Sequence, residues 1–273
     1  MNNKGLFPAG ILLAAVTLGA CTSQSAYDKK TISFAELSMS RTYTLEGSAE
    51  KFANDKDWTF ADSVSMIMPM LIGNEEIRPL QDSILKIAFD TVGVDHKSII
   101  EHYFSTTTEQ TGFMPKESDN NLTILTSDGY DITTGMISNL SSRWLVYCVQ
   151  NGHMEPRAAH GMSTRNYINY LISDNMIVAL SDIFSDSGLK DLPALIARRA
   201  IEQEATFGPT EISSLPANDN FYISAEGEIV FAYQPYEIAS YAQGFINVPF
   251  FPYELAEHMT PAGLAIFGLD SIR

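Results

Sequence analysis

The chain has 273 residues, 17 of them Lys or Arg and 33 Asp or Glu, giving a formal net charge of −16 at pH 7. Acidity of that size, with no basic cluster to offset it locally, repels phosphate backbones and argues against nucleic acid as a partner. It leaves two meanings open, attraction of a cationic partner or a solvated surface, and 45% apolar content supports one large core or two modest ones.

The first segment is MNNKGLFPAGILLAAVTLGAC. Lys4 precedes an apolar run from Leu6 to Leu18, which suits a signal-peptide core and is too short to cross a bilayer as a permanent helix. The ending Leu18-Gly19-Ala20-Cys21 resembles the bacterial lipobox. That resemblance implies a lipoprotein signal peptide over 1–20, cleavage before Cys21 and a diacylglyceryl group on its thiol; an ordinary cleavage site close to Cys21 is the alternative. Each buried methylene of an acyl chain contributes about 0.8 kcal/mol, so several chains on one cysteine anchor a protein to a membrane. Residues 21–30 read as a flexible tether. Thr22 stands where enteric inner-membrane lipoproteins carry aspartate, and no acidic run follows, so the expected address is the outer membrane, facing the periplasm. With Cys21 lipidated, Cys148 has no disulfide partner, and its apolar surroundings from Trp144 to Val149 mark it as a small core residue.

Beyond the tether, half-alternating residues over 32–45 predict a strand, and Val64, Met66, Ile67, Met68 and Met70 predict a second one ending near Gly73. Leu80, Ile84, Ile87 and Ala88 recur at helical spacing over 77–89, and a further helix is expected over 95–104 with Asp95 as its N-cap. Strands are expected over 122–126, 131–140 and 143–150, with Asp128-Gly129 and Asn151-Gly152 as turns. Alternation resumes over 167–172 and 176–180 across Ser173-Asp174-Asn175. Ser187-Gly188 then opens a helix from 189 to about 204, whose apolar face carries Leu192, Leu195, Ile196 and Ala200. A hairpin follows, 221–224 against 228–233. The class is α+β, mainly antiparallel sheets packed with a few helices.

The stretch AYQPYEIASYAQGFINVPFFPYEL, 232–255, closes the pattern. A helical turn is expected to begin at Pro235 and end at Gly244, with Ile238, Tyr241 and Ala242 on one face. Ile246, Val248 and Phe250 then point one way along a strand that Pro249 confines to a sheet edge, and Pro252 starts a short helix over 253–258. Tyr236 and Tyr241, five apart on a single turn, are not expected to share a face. The stretch reads either as a packed corner or as a recognition ridge, since tyrosine joins a rigid apolar body to a hydrogen-bonding tip.

Phe221-Tyr222, Gly227, Tyr236-Glu237-Ile238-Ala239, Tyr241-Ala242-Gln243-Gly244 and Glu254-Leu255 together closely resemble the C-terminal domain of the RsiV-type anti-sigma family and its uncharacterised relatives. Ala159-His160-Gly161 and Leu180-Ser181-Asp182-Ile183-Phe184 resemble the segments joining that domain to a PdaC-like N-terminal domain, although Ala158 replaces a usual glycine. The resemblance implies a PdaC-like domain over 31–158 and an RsiV-like domain over 159–273. It implies an outer sensor module whose partner class is lysozyme-like cationic proteins, with cell-wall glycan as a second candidate. The family's sigma-factor role is not carried over, because no cytosolic segment or spanning helix is read here. Tyr236, Glu237, Tyr241, Tyr253 and His160 are the candidate binding residues.

Signals for chemistry are sparse. His96, His102, His153, His160 and His258 include no pair at the i,i+4 spacing of a helical zinc site. Gly161-Met162-Ser163-Thr164-Arg165 begins like a nucleophile elbow but lacks its final glycine and reads as a loop. Asp128, Asp131, Asp182, Asp186 and Asp191 lie near turn residues and match no calcium loop. A non-catalytic binding module without cofactor or metal is therefore expected. The rivals are an envelope hydrolase acting on cell-wall glycan, which needs converging carboxylates in a cleft, and a structural envelope protein.

Overall fold

The computed structural model describes residues 12–16, 32–110, 114–117, 127–202 and 215–270. Cys21, the tether and the strand expected over 122–126 lie outside the described residues. The chain forms two compact units, Met1–Met136 with Val149–Ser163 and Ile137–Cys148 with Thr164–Arg273.

In the first unit a short strand, β1 (Leu12–Val16), pairs antiparallel with the start of β2 (Ile32–Glu46), within the stretch expected as leader. The short helix α1 (Ser48–Phe52) joins β2 to β3 (Trp58–Ile72), and the two long strands pair from Ile32↔Ile72 to Leu45↔Trp58. β3 starts six residues before Val64, because Trp58 and Phe60 pair with Leu45 and Tyr43 despite the polar residues between them and the methionines. The register slips between Ser33 and Phe34, so Pro69 sits at a bulge, where its missing N–H costs little. The Gln81 side chain donates to the Pro69 carbonyl at 3.0 Å.

β4 (Glu75–Glu76) pairs with the end of β3, and α2 (Arg78–Phe89) buries Leu80, Ile84 and Ala88 on one stripe, as the periodicity predicts. Asp95 caps α3 (His96–Gln110) by accepting the Ser98 N–H at 3.1 Å, and the helix outruns the expected end at 104. β5 (Met114–Glu117) lies on β2. β6 (Gly129–Leu140) runs parallel to β3, in register from Phe60↔Gly129 to Met66↔Gly135. β7 (Trp144–Met154) corrects the turn expected at Asn151-Gly152: strands flank it on both sides, and that pairing overrides the dipeptide's turn preference.

An ion pair with a buried acid ties β2 to β3. Asp62 is fully buried and accepts from Arg41 through Nε at 2.8 Å and Nη2 at 2.6 Å. The guanidinium lies 5.0 Å from the ring centroids of both Tyr43 and Phe104, and Nη2 also donates to the Phe104 carbonyl.

The second unit takes the remaining halves of β6 and β7 with β8 (Met162–Leu171) and β9 (Met176–Ile177), a hairpin turning at Asn175, φ +53°. Met162 to Arg165 are strand, not the expected loop. The strand expected over 176–180 stops at Ile177, and the chain enters α4 (Leu180–Ile183) and α5 (Asp186–Glu202). Ser185 caps α5 by accepting the Gly188 N–H at 3.0 Å, so Gly188 lies inside the first turn and does not open the helix. Its lack of a side chain is required: a Cβ there would stand 2.1 Å from the His258 carbonyl oxygen.

Leu192, Ile196 and Ala200 of α5 are buried with the sheet of β10 (Phe221–Ile223), β11 (Ile229–Tyr233) and β12 (Ile246–Phe250). β12 is an edge strand carrying Pro249, with Val248 and Phe250 buried, as the sequence predicts. A 3₁₀ turn over Tyr241–Gln243 ends at Gly244, and a second covers Pro252–His258. The final helix, α6 (Pro261–Ile266), was not foreseen, although Thr260-Pro261 spells its cap and first position: the Thr260 hydroxyl accepts the Gly263 N–H at 2.9 Å.

Amide side chains take the place of a backbone ladder between β8 and this small sheet. Asn169, 2% exposed, donates to the Phe221 carbonyl at 2.8 Å and accepts the Ile223 N–H at 2.9 Å. Asn220 accepts the Tyr167 N–H at 3.1 Å and donates to the Arg165 carbonyl, while Gln234 pairs with both backbone groups of Arg165 at 2.9 and 2.6 Å. The mixed α+β class holds throughout, with the β3–β6 pair as a parallel element.

Candidate functional site

The tyrosine corner grows out of β11. Residues 234–237 form a β-turn with proline second, closed by the Glu237 N–H on the Gln234 carbonyl at 3.1 Å. Its third residue, Tyr236, has φ +69°. That position favours glycine, because a Cβ in the left-handed region meets the following carbonyl, at a cost of about 1–2 kcal/mol. Glu237 holds the turn shut by accepting the Gln234 N–H at 2.7 Å and the Asn218 side chain at 2.6 Å. Both carboxylate oxygens are thus employed in positioning.

Tyr236 is 58% exposed and its ring centroid lies 5.5 Å from that of Tyr241. The two rings therefore share a face, against expectation. No single helical turn joins them: a β-turn and a separate 3₁₀ turn do, and the positive φ swings Tyr236 toward Tyr241. Tyr253, 65% exposed, stacks with Phe251, 41% exposed, at 5.6 Å and 7°. Behind that pair, Glu254 accepts the Phe251 N–H at 2.7 Å and pairs with Arg199, whose hydrogen bond holds the carboxyl below its usual range. His160 belongs to the first unit, is exposed, and has Nδ1 3.1 Å from the Gly161 carbonyl.

Other groups do structural work. Cys148 is buried beside Tyr167, and burial pushes its thiol up, as befits a core residue. Asp128 accepts from the Thr59 N–H and hydroxyl, both at 2.9 Å, and Asp182 accepts the Ala179 N–H at 2.8 Å in a capping box. Turn chemistry does not explain Asp131: it lies in β6 and meets His153 Nδ1 at 2.7 Å, with Glu155 at 3.1 Å from Nε2. A carboxylate on each ring nitrogen suits a protonated imidazole, and the Asp131 hydrogen bond leads the causes that raise its pKa. Asp191 likewise faces His258, at 3.3 Å. Among the described residues no group of three His, Cys, Asp or Glu side chains is placed to hold a metal ion. No described helix is long and apolar enough to cross a membrane.

Among the described residues, two concavities stand out. One, of about 750 Å³ in the second unit, is lined by Arg143, Asp174, Ser181, Asp182 and Thr260. Three of its polar groups are committed: Arg143 donates to the Ala265 carbonyl at 2.7 Å, and Asp182 and Thr260 cap helices. The other, of about 550 Å³ in the first unit, has an aromatic floor, Trp58 and Phe60, beneath Phe52, with Lys51, Glu155 and Arg157 around it. Sequence reasoning missed it. Phe52 and Trp58 flank a polar turn and gave a faint signal, but Arg157 reaches them only through strand register.

The family described as "Protein of unknown function (DUF3298)" matches residues 181–254, the part of the chain that holds the tyrosine corner. The chain is similar in fold to a DUF3298 family member, BF2082, from Bacteroides fragilis NCTC 9343, with 15% identity, a TM-score of 0.63 and coverage of 89% of this chain and 98% of that one. It is also similar to a DUF3298 family protein, PA4972, from Pseudomonas aeruginosa PAO1, at 11% identity and a TM-score of 0.53, covering 84% and 95%. No curated protein matches.

Proposed function

We propose that this protein is a lipid-anchored binding module of the bacterial envelope, held through Cys21 and displayed toward the periplasm, which recognises a cationic protein of the lysozyme class at the tyrosine corner. The observation that carries the reading is Tyr236. A large aromatic residue occupies a turn position that glycine fills without strain, and the ring so placed stays in solvent against a second tyrosine. Strain of this kind persists where surrounding structure enforces it and clusters at binding sites. Exposed tyrosine pairs on a rigid corner are the residue type and setting of interface hot spots. The net charge of −16 favours a basic partner. The DUF3298 match spans most of the residues on which the RsiV-type likeness rests, which supports that likeness, whereas the PdaC-like companion over 31–158 rests on the resemblance alone.

The test is retention of the full chain on immobilised lysozyme at low and at moderate salt. The proposal expects retention at both, lost in a Tyr236→Ala/Tyr241→Ala double variant of unchanged thermal midpoint. Retention at low salt only would reduce the interaction to general charge attraction and overturn it. For the anchor, Cys21→Ser is expected to move the protein from the membrane to the soluble fraction of a fractionated envelope.

A further inference from the structure

The cleft of the first unit brings cationic and aromatic side chains together in an otherwise acidic chain. α1 is locked onto the start of β3: Asp57 accepts the Ala49 N–H at 2.7 Å, and the Ser48 hydroxyl accepts the Trp58 N–H at 2.8 Å. That lock stacks Phe52 on Trp58, ring centroids 4.5 Å apart and 20° from parallel. Trp58 is 7% exposed and Phe52 39%, so Phe52 presents a supported apolar face to the cleft. Gly129 leaves room for the Phe60 ring of the floor, which a Cβ would approach to 2.8 Å.

Two cations rim this platform, Lys51 with its Nζ 5.4 Å from the Phe52 centroid and Arg157 with its guanidinium 5.8 Å from that of Trp58. Glu155, the one acid in the lining, has its carboxylate 3.1 Å from the His153 imidazole, whose raised pKa favours the charge that offsets it. Arg157 is held in place by a second strained turn. Residues 155–158 put Pro156 second, close with the Ala158 N–H on the Glu155 carbonyl at 3.0 Å, and give Arg157 a φ of +70°.

We propose that this cleft is a binding site for a carboxylate-bearing sugar ring. The Phe52–Trp58 stack meets the C–H face of a pyranose, and the Arg157 guanidinium takes the carboxylate. A volume of about 550 Å³ accommodates one or two sugar residues. Local charge favours an acid sugar over a neutral one, because Lys51 and Arg157 outnumber Glu155 in the lining and Glu155 is paired with His153. The site needs nothing from the tyrosine corner, so the two readings stand or fall separately.

Trp58 and Trp144 are the only tryptophans, and a Trp144→Phe background reports the cleft alone. In that background the full chain is titrated with N-acetylmuramic acid, glucuronic acid, N-acetylglucosamine and benzoate, following Trp58 fluorescence. Saturable binding of at least one acid sugar, about ten-fold tighter than either N-acetylglucosamine or benzoate, supports the site, and the tighter acid identifies the source of the carboxylate. Arg157→Gln is expected to weaken that binding about ten-fold, the scale of one charge-assisted hydrogen bond, with no change in thermal midpoint. Phe52→Ala is expected to weaken acid and neutral sugar alike. Equal affinity for the neutral sugar, tighter binding of benzoate, no saturation by any sugar, or an Arg157→Gln variant that binds unchanged would each overturn the proposal.

Discussion

Residues 155–158 in the first unit and 234–237 in the second are one turn built twice. Each has proline second, a closing hydrogen bond of 3.0–3.1 Å and a long side chain, Arg157 or Tyr236, third at a φ of about +70°. What lies beneath differs. Arg157 leans over a buried tryptophan at the rim of a concavity, whereas Tyr236 leans on another partly exposed tyrosine at a corner. The first arrangement has the size and charge that suit a small anion; the second, a corner, suits something larger. In both, a backbone conformation of higher energy aims a side chain without burying it.

The supports of the two units offer the sharpest way to separate them. In the first unit, which holds the cleft, stands the Arg41–Asp62 pair. Arg41→Ala would leave a fully buried carboxylate without its guanidinium, and a loss of about 3–5 kcal/mol is expected in denaturant titration. A loss below about 1 kcal/mol would show that the first unit does not hang on this pair. Under the tyrosine corner stand the amides. Asn169→Ala removes two buried hydrogen bonds and leaves a carbonyl and an N–H unpaired, for an expected loss of about 2–3 kcal/mol. Asn169→Asp is expected to cost a comparable amount, because it removes the donor to Phe221.

Legibility in the sequence followed the range of the cause. Helix α2, the 221–233 hairpin and the edge strand at Pro249 depend on spacing within a dozen residues, and alternation or periodicity exposed them. Asn151-Gly152 misled because its turn preference is local while strand pairing on both flanks of β7 is not. Asn169 and Asp62 look like ordinary polar strand residues until register supplies Phe221 and Arg41. At the corner the composition drew attention to Tyr236 and Tyr241, but the reading of a single helical turn separated the two. The signal that would have joined them is Gln234-Pro235-Tyr236-Glu237 itself, a turn sequence with the wrong residue third. Glu155-Pro156-Arg157-Ala158 carries the same signal and went unread.

Acidity offers a finer break between the units. His153 has a raised pKa, caused first by the Asp131 hydrogen bond, so its folded form binds a proton more tightly than the unfolded chain does. The resulting stability is fully present below the unfolded value of about 6.5 and fades as pH rises through the folded pKa. His153→Gln should therefore lower the urea midpoint at pH 5.5 and leave it nearly unchanged at pH 8.5. Equal losses at both values would mean that packing, and not charge, is what His153 supplies.

The smallest effect tests the comparison itself. At an ordinary surface position alanine is at least as stabilising as glycine, because glycine loses more backbone freedom on folding. At Arg157 and Tyr236 the order should reverse. Tyr236→Gly and Tyr236→Ala both delete the ring, so their difference isolates the backbone, and the glycine variant should be the more stable by about 1 kcal/mol. Arg157→Gly against Arg157→Ala should show the same sign and a similar size, read as paired shifts of thermal midpoint. Reversal at one site alone would mean that only that turn stores strain, and the parallel between the cleft and the corner would then be one of shape without shared energetics. If both reverse, each side chain occupies its place at a cost to folding that a glycine would have avoided, the pattern expected of side chains held at binding sites.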